Sequence, residues 1–271
     1  MVQYFRNVKE GLEAMKHVSV LIVLMLSVLI GCDSNSTSHV NEKKITVAAA
    51  SDLYQALTEM GEQFSQETDI EVVFTFGSTG MLAKQIEEGA PFDLFAAAHE
   101  SYIDDLIDKK SVLADSKRNY AIGQIAFMTT GDGNKVLDET DLQNDDIKAI
   151  AIANPEHAPY GKAAKEALET WGVWDELTPK IVYAENIRQA YQFVESGNAD
   201  VGIIAVSLMV GSDDNYTVID HDVYQPISQA LGITSQTANK ENSQKFADFI
   251  TGEKGQVILE KYGFGHPEGE Y

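Results

Sequence analysis

The chain has 271 residues, a hydrophobic fraction of 44% and a formal net charge of −22 at pH 7. The hydrophobic fraction is typical of a folded protein, and the length is sufficient for two lobes of ordinary domain size. Because the negative charge would repel a phosphate backbone and no basic stripe offsets it, we expect no nucleic-acid partner.

The N-terminus has the pattern of a secretion signal. A short basic start at residues 15–17 precedes an apolar run over residues 18–30, which is too short to span a bilayer comfortably. The run ends in Leu-Ile-Gly-Cys32, which resembles the bacterial lipobox, whose cysteine is lipidated and becomes the new N-terminus. We therefore expect residues 1–31 to be a signal peptide, with Met15 a candidate for the true start and Cys32 the lipidation site. A membrane anchor that is never cleaved is the alternative.

Cys32 is the only cysteine, so the sequence offers no disulfide, zinc cluster or cysteine nucleophile. Residues 32–44 are polar and without periodicity, which is typical of a flexible tether. The expected location is the periplasmic side of the cell envelope, with the domain tethered to a membrane through Cys32.

The first element after the tether is a strand over residues 45–50 that runs straight into Ser51. Apolar residues then recur at helical spacing, at Leu53, Ala56, Leu57, Met60 and Phe64, and Ser51 is the predicted N-cap. A strand that ends in such a turn presents a hydroxyl and unpaired backbone N–H groups, which together suit a small anion.

The same arrangement recurs along the chain. A strand over 70–76 leads through Gly77-Ser78-Thr79-Gly80 into a helix over about 80–89. Strands at 147–153 and 180–183 likewise lead into helices, at Tyr160-Gly161 and at Asn186-Ile187. The remaining predicted elements are strands at 92–98, 120–130 and 201–207 and helices at 101–110, 243–251 and 255–262.

This alternation predicts an α/β protein with mostly parallel sheets. We predict one lobe from residues 45–121 and 227–271 and a second from residues 122–226. In open parallel sheets ligands lie beyond the carboxyl ends of the strands, so the four turns are expected to face one cleft between the lobes.

Short motifs throughout residues 45–265 resemble those of the periplasmic molybdate-binding proteins, the solute receptors of molybdate ABC importers. The matching pieces are Ala-Ala-Ala-Ser51-Asp-Leu, Phe-Gly-Ser78-Thr-Gly, Pro-Phe-Asp93-Leu-Phe, Asn154-Pro-Glu-His-Ala-Pro-Tyr160-Gly, Glu185-Asn-Ile187-Arg, Gly-Asn-Ala-Asp-Val-Gly202-Ile-Ile and Tyr262-Gly-Phe264. The resemblance implies the type II periplasmic-binding-protein fold, in which two α/β lobes are joined by a hinge.

The resemblance also implies a set of oxyanion ligands. These are Ser51 and Ser78, through hydroxyl and amide, and the backbone amides of Tyr160 and Ile187. Some members use a tyrosine hydroxyl from the strand that here carries Ala205, so that contact is missing. We expect the hydroxyl of Tyr160 to replace it.

The chemistry of the four turns agrees with such a ligand. Molybdate is a fully deprotonated dianion at neutral pH, so its site needs only donors, whereas protonated phosphate would also need an acceptor. The only carboxylate in the turns is Asp52, and the cations Lys162 and Arg188 each lie one residue beyond. We expect the anion to be held by dipoles and hydrogen bonds in a dry cleft.

Structural explanations stay open for each of these residues. Ser51 and Ser78 could simply cap helices, and Tyr160 could be a gate or packing residue. His157 is interpreted as a turn residue rather than a metal ligand. The acidic pairs Asp104-Asp105 and Asp213-Asp214 are interpreted as solvated groups, and no cation site is expected.

The leading hypothesis is a monomeric receptor, not an enzyme, that captures molybdate and also tungstate and delivers it to an ABC permease in the inner membrane. No cofactor is expected apart from this ligand. A receptor for sulfate or thiosulfate, or a protein that senses oxyanions, is the alternative. An enzyme is disfavoured because no catalytic motif appears at a credible spacing.

Overall fold

The structure is a computed structural model that describes residues 43–130, 138–212 and 215–267. The predicted signal peptide, Cys32 and Asp213-Asp214 lie outside the described residues, as does nearly all of the predicted tether. Among the described helices, none combines the length and apolar character needed to cross a membrane.

The described residues form ten strands and eight α-helices. The strands are β1 (Lys44–Ala50), β2 (Glu71–Gly77), β3 (Leu94–Ala97), β4 (Arg118–Gly123), β5 (Ile125–Thr129), β6 (Ile150–Ala153), β7 (Ile181–Ala184), β8 (Val201–Ala205), β9 (Asn215–Val218) and β10 (Ile227–Ile233). The helices are α1 (Tyr54–Thr68), α2 (Thr79–Glu87), α3 (Glu100–Asp108), α4 (Pro159–Thr170), α5 (Trp174–Leu177), α6 (Ile187–Glu195), α7 (Lys240–Thr251) and α8 (Glu253–Lys261).

The strands form two five-stranded sheets, ordered β2-β1-β3-β10-β4 and β7-β6-β8-β5-β9. In the first sheet only β10 is antiparallel to its neighbours, and in the second only β5 is. Four of the five strands in each sheet therefore run in the same direction, which confirms the prediction of mostly parallel sheets. Below, lobe 1 is the first sheet with α1, α2, α3, α7 and α8, and lobe 2 is the second sheet with α4, α5 and α6.

Helices cover both faces of the first sheet, as a largely parallel sheet requires. Ile45, Val47 and Ala49 of β1 belong to one apolar cluster, whereas Ala48 belongs to another that includes Leu82 of α2. Side chains alternate between faces along a strand, so β1 contributes to both layers. This packing fixes the carboxyl end of β1, where Ser51 follows.

The chain crosses from the first sheet to the second at Gln124, between β4 and β5, and returns between Val218 and Ile227. The apolar stretch predicted as one strand over 120–130 is therefore two strands in different sheets, since a single residue separates them. Strand β9 was not predicted, because its alternation is short and only partly buried. The predicted lobe limits at residues 121 and 226 stay a prediction.

Candidate functional site

The four predicted turns lie around one small cavity. Ser51, Ser78, Tyr160 and Ile187 all line it, although they come from both lobes and are far apart in sequence. Each follows a parallel strand, β1, β2, β6 or β7, so the carboxyl ends of the strands bring them together.

Ser51 begins a short 3-10 turn, Ser51–Leu53, that precedes α1. The N-cap of α1 is Leu53, so the prediction that Ser51 caps this helix is wrong. The Ser51 Oγ instead accepts a long hydrogen bond from the backbone N–H of Arg188 in lobe 2, at 3.4 Å. Its own proton therefore remains available to a ligand.

Ser78 occupies the N-cap position of α2, as predicted, but its side chain makes no capping bond either. The Ser78 Oγ donates to the carbonyl oxygen of His157 at 2.7 Å and lies 2.8 Å from the His157 Nδ1. His157 belongs to the turn between β6 and α4 of lobe 2. Neither serine hydroxyl thus serves its own helix, and each contacts the opposite lobe.

The lobes come close enough for backbone contact beside Ser78. The Gly80 N–H donates to the His157 carbonyl oxygen at 2.9 Å. A Cβ at Gly80 would lie 2.8 Å from that oxygen, so this approach needs glycine. The cleft is closed at this edge.

Lobe 2 presents helix starts to the cavity. Tyr160 is the second residue of α4, after Pro159, and Ile187 is the first residue of α6. The first N–H groups of an α-helix have no partner within the helix, so both amides are potential anion donors. Asn186 caps α6, since its side chain accepts from the Gln189 N–H at 3.0 Å.

The Tyr160 hydroxyl belongs to a buried network that joins both lobes. It donates to the Asp52 Oδ2 at 3.0 Å and accepts from the Gln229 Nε2, also at 3.0 Å. The Gln229 Nε2 donates to the same Asp52 oxygen at 2.7 Å, and the Tyr120 hydroxyl donates to the Gln229 Oε1 at 2.8 Å. Burial raises the pKa of both tyrosines well above the ordinary value, so both remain protonated donors.

Asp52 lines the cavity, although it was not among the site residues predicted from the sequence. The structure places it on the cavity wall with 1% exposure. Burial raises the pKa of its carboxyl to about 6, against the opposing effect of the bonds from Gln229 and Tyr160. The only sequence signal was that it is the one acidic residue in the four turns.

No lysine or arginine lines the cavity among the described residues. The Arg188 guanidinium lies over the ring of Tyr54, 3.6 Å from its centroid. The Lys162 ammonium is exposed and lies 3.7 Å from the Glu166 carboxylate. The groups of the four turns that can donate to an anion are therefore N–H and O–H groups, and binding of an anion by them stays a prediction.

The cavity is narrow in this conformation. About 10 Å³ is open to the centre of a water molecule, which is roughly enough for one water. A larger groove of about 250 Å³ shares Ala158 and Pro159 with the cavity, but it contains none of the four predicted ligand residues. Ala205 is fully buried at the end of β8 and lines neither space.

Comparisons with known proteins agree with this architecture. The family model of bacterial extracellular solute-binding proteins matches residues 45–265. The molybdate-binding protein ModA of Rhodobacter capsulatus is 31% identical over 82% of this chain and 88% of its own length. A proposed ABC transporter substrate-binding lipoprotein of Bacillus subtilis, YvgL, is 30% identical over 92% of this chain and 98% of its own.

A solved structure shares the fold. The periplasmic molybdate-binding protein of Azotobacter vinelandii superposes with a TM-score of 0.79 at 30% identity, covering 82% of this chain and 99% of the other. The predicted two-lobed periplasmic-binding-protein fold is thereby confirmed.

Proposed function

The chain belongs to the family of bacterial extracellular solute-binding proteins, in the group of the molybdate-binding protein ModA, and from this premise we propose that it captures molybdate. Tungstate, with the same charge and tetrahedral shape, is a second ligand. The protein delivers the anion to an ABC permease in the inner membrane. We infer binding rather than catalysis, because the relatives named above are receptors of transport systems.

The observation that carries this proposal is the convergence of four strand-to-helix turns on one cavity without a basic side chain. Ser51 and Ser78 offer hydroxyls that do not cap helices, and Tyr160 and Ile187 offer amides at helix starts. Such a set of donors suits a fully deprotonated tetrahedral dianion.

Binding requires the closed cleft to open. Since the cavity has room for roughly one water, the anion enters after the lobes separate and the Ser78–His157 contact breaks. Ser78 then donates to the anion in place of the His157 carbonyl. The Tyr160 hydroxyl reaches the anion only by giving up its bond to Asp52.

A panel of oxyanions tests the proposal. Molybdate, tungstate, sulfate, thiosulfate and phosphate are titrated calorimetrically into the protein lacking residues 1–31. Molybdate and tungstate should bind, and a concentration of 100 times the dissociation constant should add about 2.7 kcal/mol to the free energy of unfolding.

The panel also contains the outcomes that would contradict the proposal. Binding of sulfate or thiosulfate in preference to molybdate would establish the alternative receptor, and equal binding of phosphate would refute the argument from donors. If the folded protein bound none of these anions, the proposed function would be refuted and only the assignment of the fold would stand.

The location rests on Cys32, which lies outside the described residues. The Leu-Ile-Gly-Cys32 pattern and the similarity to a proposed lipoprotein support lipid attachment on the periplasmic side of the envelope. Cys32→Ala should release the protein from membranes into a soluble fraction, or block its processing. Fractionation and migration identical to wild type would contradict the lipid anchor.

A further inference from the structure

Asp52 combines three features that the proposed function does not use. Its carboxyl is buried, it lines the cavity, and its Oδ1 has no hydrogen-bond partner among the described residues. The Oε1 of Gln55, three residues later, is also buried without a partner. Two acceptor oxygens within one turn therefore lack a donor.

Among the described residues, no basic side chain bonds to the Asp52 carboxyl. Arg188, one residue beyond the turn at Ile187, has its guanidinium stacked on the ring of Tyr54. The Oδ2 of the carboxyl receives neutral donors, the Tyr160 hydroxyl and the Gln229 amide. A dianion in the same closed cavity would face this carboxylate at short range, where burial makes repulsion between like charges strong.

A proton on Asp52 removes that repulsion. A neutral carboxyl is a donor as well as an acceptor, so it changes from a group that repels an anion to one that can bind it. Because its pKa is already about 6 without ligand, the proton is gained at modest cost near neutral pH. A bound dianion raises this pKa further, as like charges do in general.

We propose that Asp52 is a proton-linked binding residue, neutral when the anion is bound, so that capture of one dianion takes up one proton. This inference rests on the proposed function, since it concerns the same cavity. It also explains how a cavity with a carboxyl on its wall can favour a dianion: the carboxyl enters the complex as a donor.

Two titratable groups belong to the network around the Asp52 carboxyl: Tyr160 of α4, which bonds to it, and Tyr120 of β4, which bonds to Gln229. Around the cavity, Arg188 of α6 bonds through its backbone N–H to Ser51 and lies over the ring of Tyr54 of α1, and His157 of the turn before α4 bonds to Ser78. Strand β10 contributes Gln229, and the turn Val206–Leu208 contributes Ser207, whose hydroxyl donates to the Asp52 carbonyl oxygen at 2.9 Å. Among these side chains only histidine commonly titrates near neutral pH, so His157 requires a control.

The experiment measures the affinity for sodium molybdate by calorimetry between pH 6.5 and 8.5, where molybdate itself stays a dianion. The wild-type dissociation constant should increase about tenfold per pH unit above pH 7, because Asp52 must regain its proton on binding. Asp52→Asn keeps the size and one acceptor oxygen but cannot ionise, so its affinity should be independent of pH. His157→Asn is the matched control and should keep the wild-type slope.

A second measurement needs no variant. Titrations at pH 8 in buffers of different ionisation enthalpy give the number of protons exchanged, and about one should be taken up per anion. The proposal is overturned by a wild-type affinity that does not change with pH, by an Asp52→Asn protein that keeps the slope, or by a slope that disappears in His157→Asn. Molybdate binding without any slope overturns this proposal alone, whereas no molybdate binding at any pH overturns the proposed function with it.

Discussion

Lobe 1 and lobe 2 reach the same cavity with different chemistry, although their sheets are built alike. Across each sheet, three neighbouring parallel strands lie beside a fourth strand that is antiparallel to them. The turns follow the first two strands in this order, β2 and β1 in lobe 1 and β7 and β6 in lobe 2. Lobe 1 contributes the serine hydroxyls and Asp52, whereas lobe 2 contributes helix starts at Tyr160 and Ile187. A shared topology therefore fixes where donors lie but not which kind they are.

The two lobes differ in the partner of the polar side chain at the start of a helix. Asn186 in lobe 2 caps its own helix, so it is unavailable to a ligand. Ser78 in lobe 1 holds the equivalent position but bonds to His157 across the cleft. Side chains that contact the opposite lobe can exchange that contact for an anion when the cleft opens and closes.

The largest expected effect concerns Asp52, which lobe 1 contributes to the cavity and which has no acidic counterpart there from lobe 2. Because its pKa is raised from 3.8 to about 6 in the folded protein, its contribution to stability is fully present below pH 4 and is lost as the pH rises through 6. Asp52→Asn avoids this loss. Relative to wild type, the variant should gain about 3 kcal/mol in free energy of unfolding between pH 3 and pH 8.

Urea unfolding of both proteins at the two pH values, without ligand, measures this gain. The other carboxylates titrate in both proteins, so their effects cancel in the comparison. A difference in stability that stays constant with pH would mean that Asp52 is ionised in the folded protein at no cost.

The next effect compares one hydroxyl from each lobe. Ser78→Ala and Tyr160→Phe should each weaken molybdate binding by about 1.5–3 kcal/mol, the usual range for a hydrogen bond to a charged group. Calorimetric titration measures both, and Ser243→Ala, a buried serine of α7 outside the cavity, is the control. If Tyr160→Phe binds like wild type while Ser78→Ala does not, lobe 2 contributes amides only, and the Tyr160 hydroxyl serves Asp52.

The smallest effect separates capping from binding. Asn186→Ala should lower the free energy of unfolding by about 1 kcal/mol, because it removes the cap of α6, and should leave the affinity for molybdate unchanged. Ser78→Ala removes no capping bond, so any stability that it loses comes from its contact with His157, and unlike Asn186→Ala it should weaken molybdate binding. Thermal unfolding and titration of the two variants side by side check the contrast, and the reverse pattern would contradict the division of roles.

Much of the fold was predictable because its signals are local. The helical spacing after Ser51, the glycine-rich turn at Ser78 and the apolar strand before Asn154 each indicate an element from adjacent residues. The predicted elements agree with α1, α2 and β6 within a few residues. Strand β9 was missed because it is short and half exposed, so its pattern is weak.

The sequence by itself determined the alternation of strands and helices, and hence that four turns meet at one edge of two sheets. Only the tertiary structure decided what the side chains there do. The partners of Asp52 are Tyr160 and Gln229, which follow it by 108 and 177 residues, and Ser78 bonds to His157 rather than to its own helix. A hydroxyl has one proton, and its recipient depends on which acceptors the fold brings within about 3 Å, which no local pattern records.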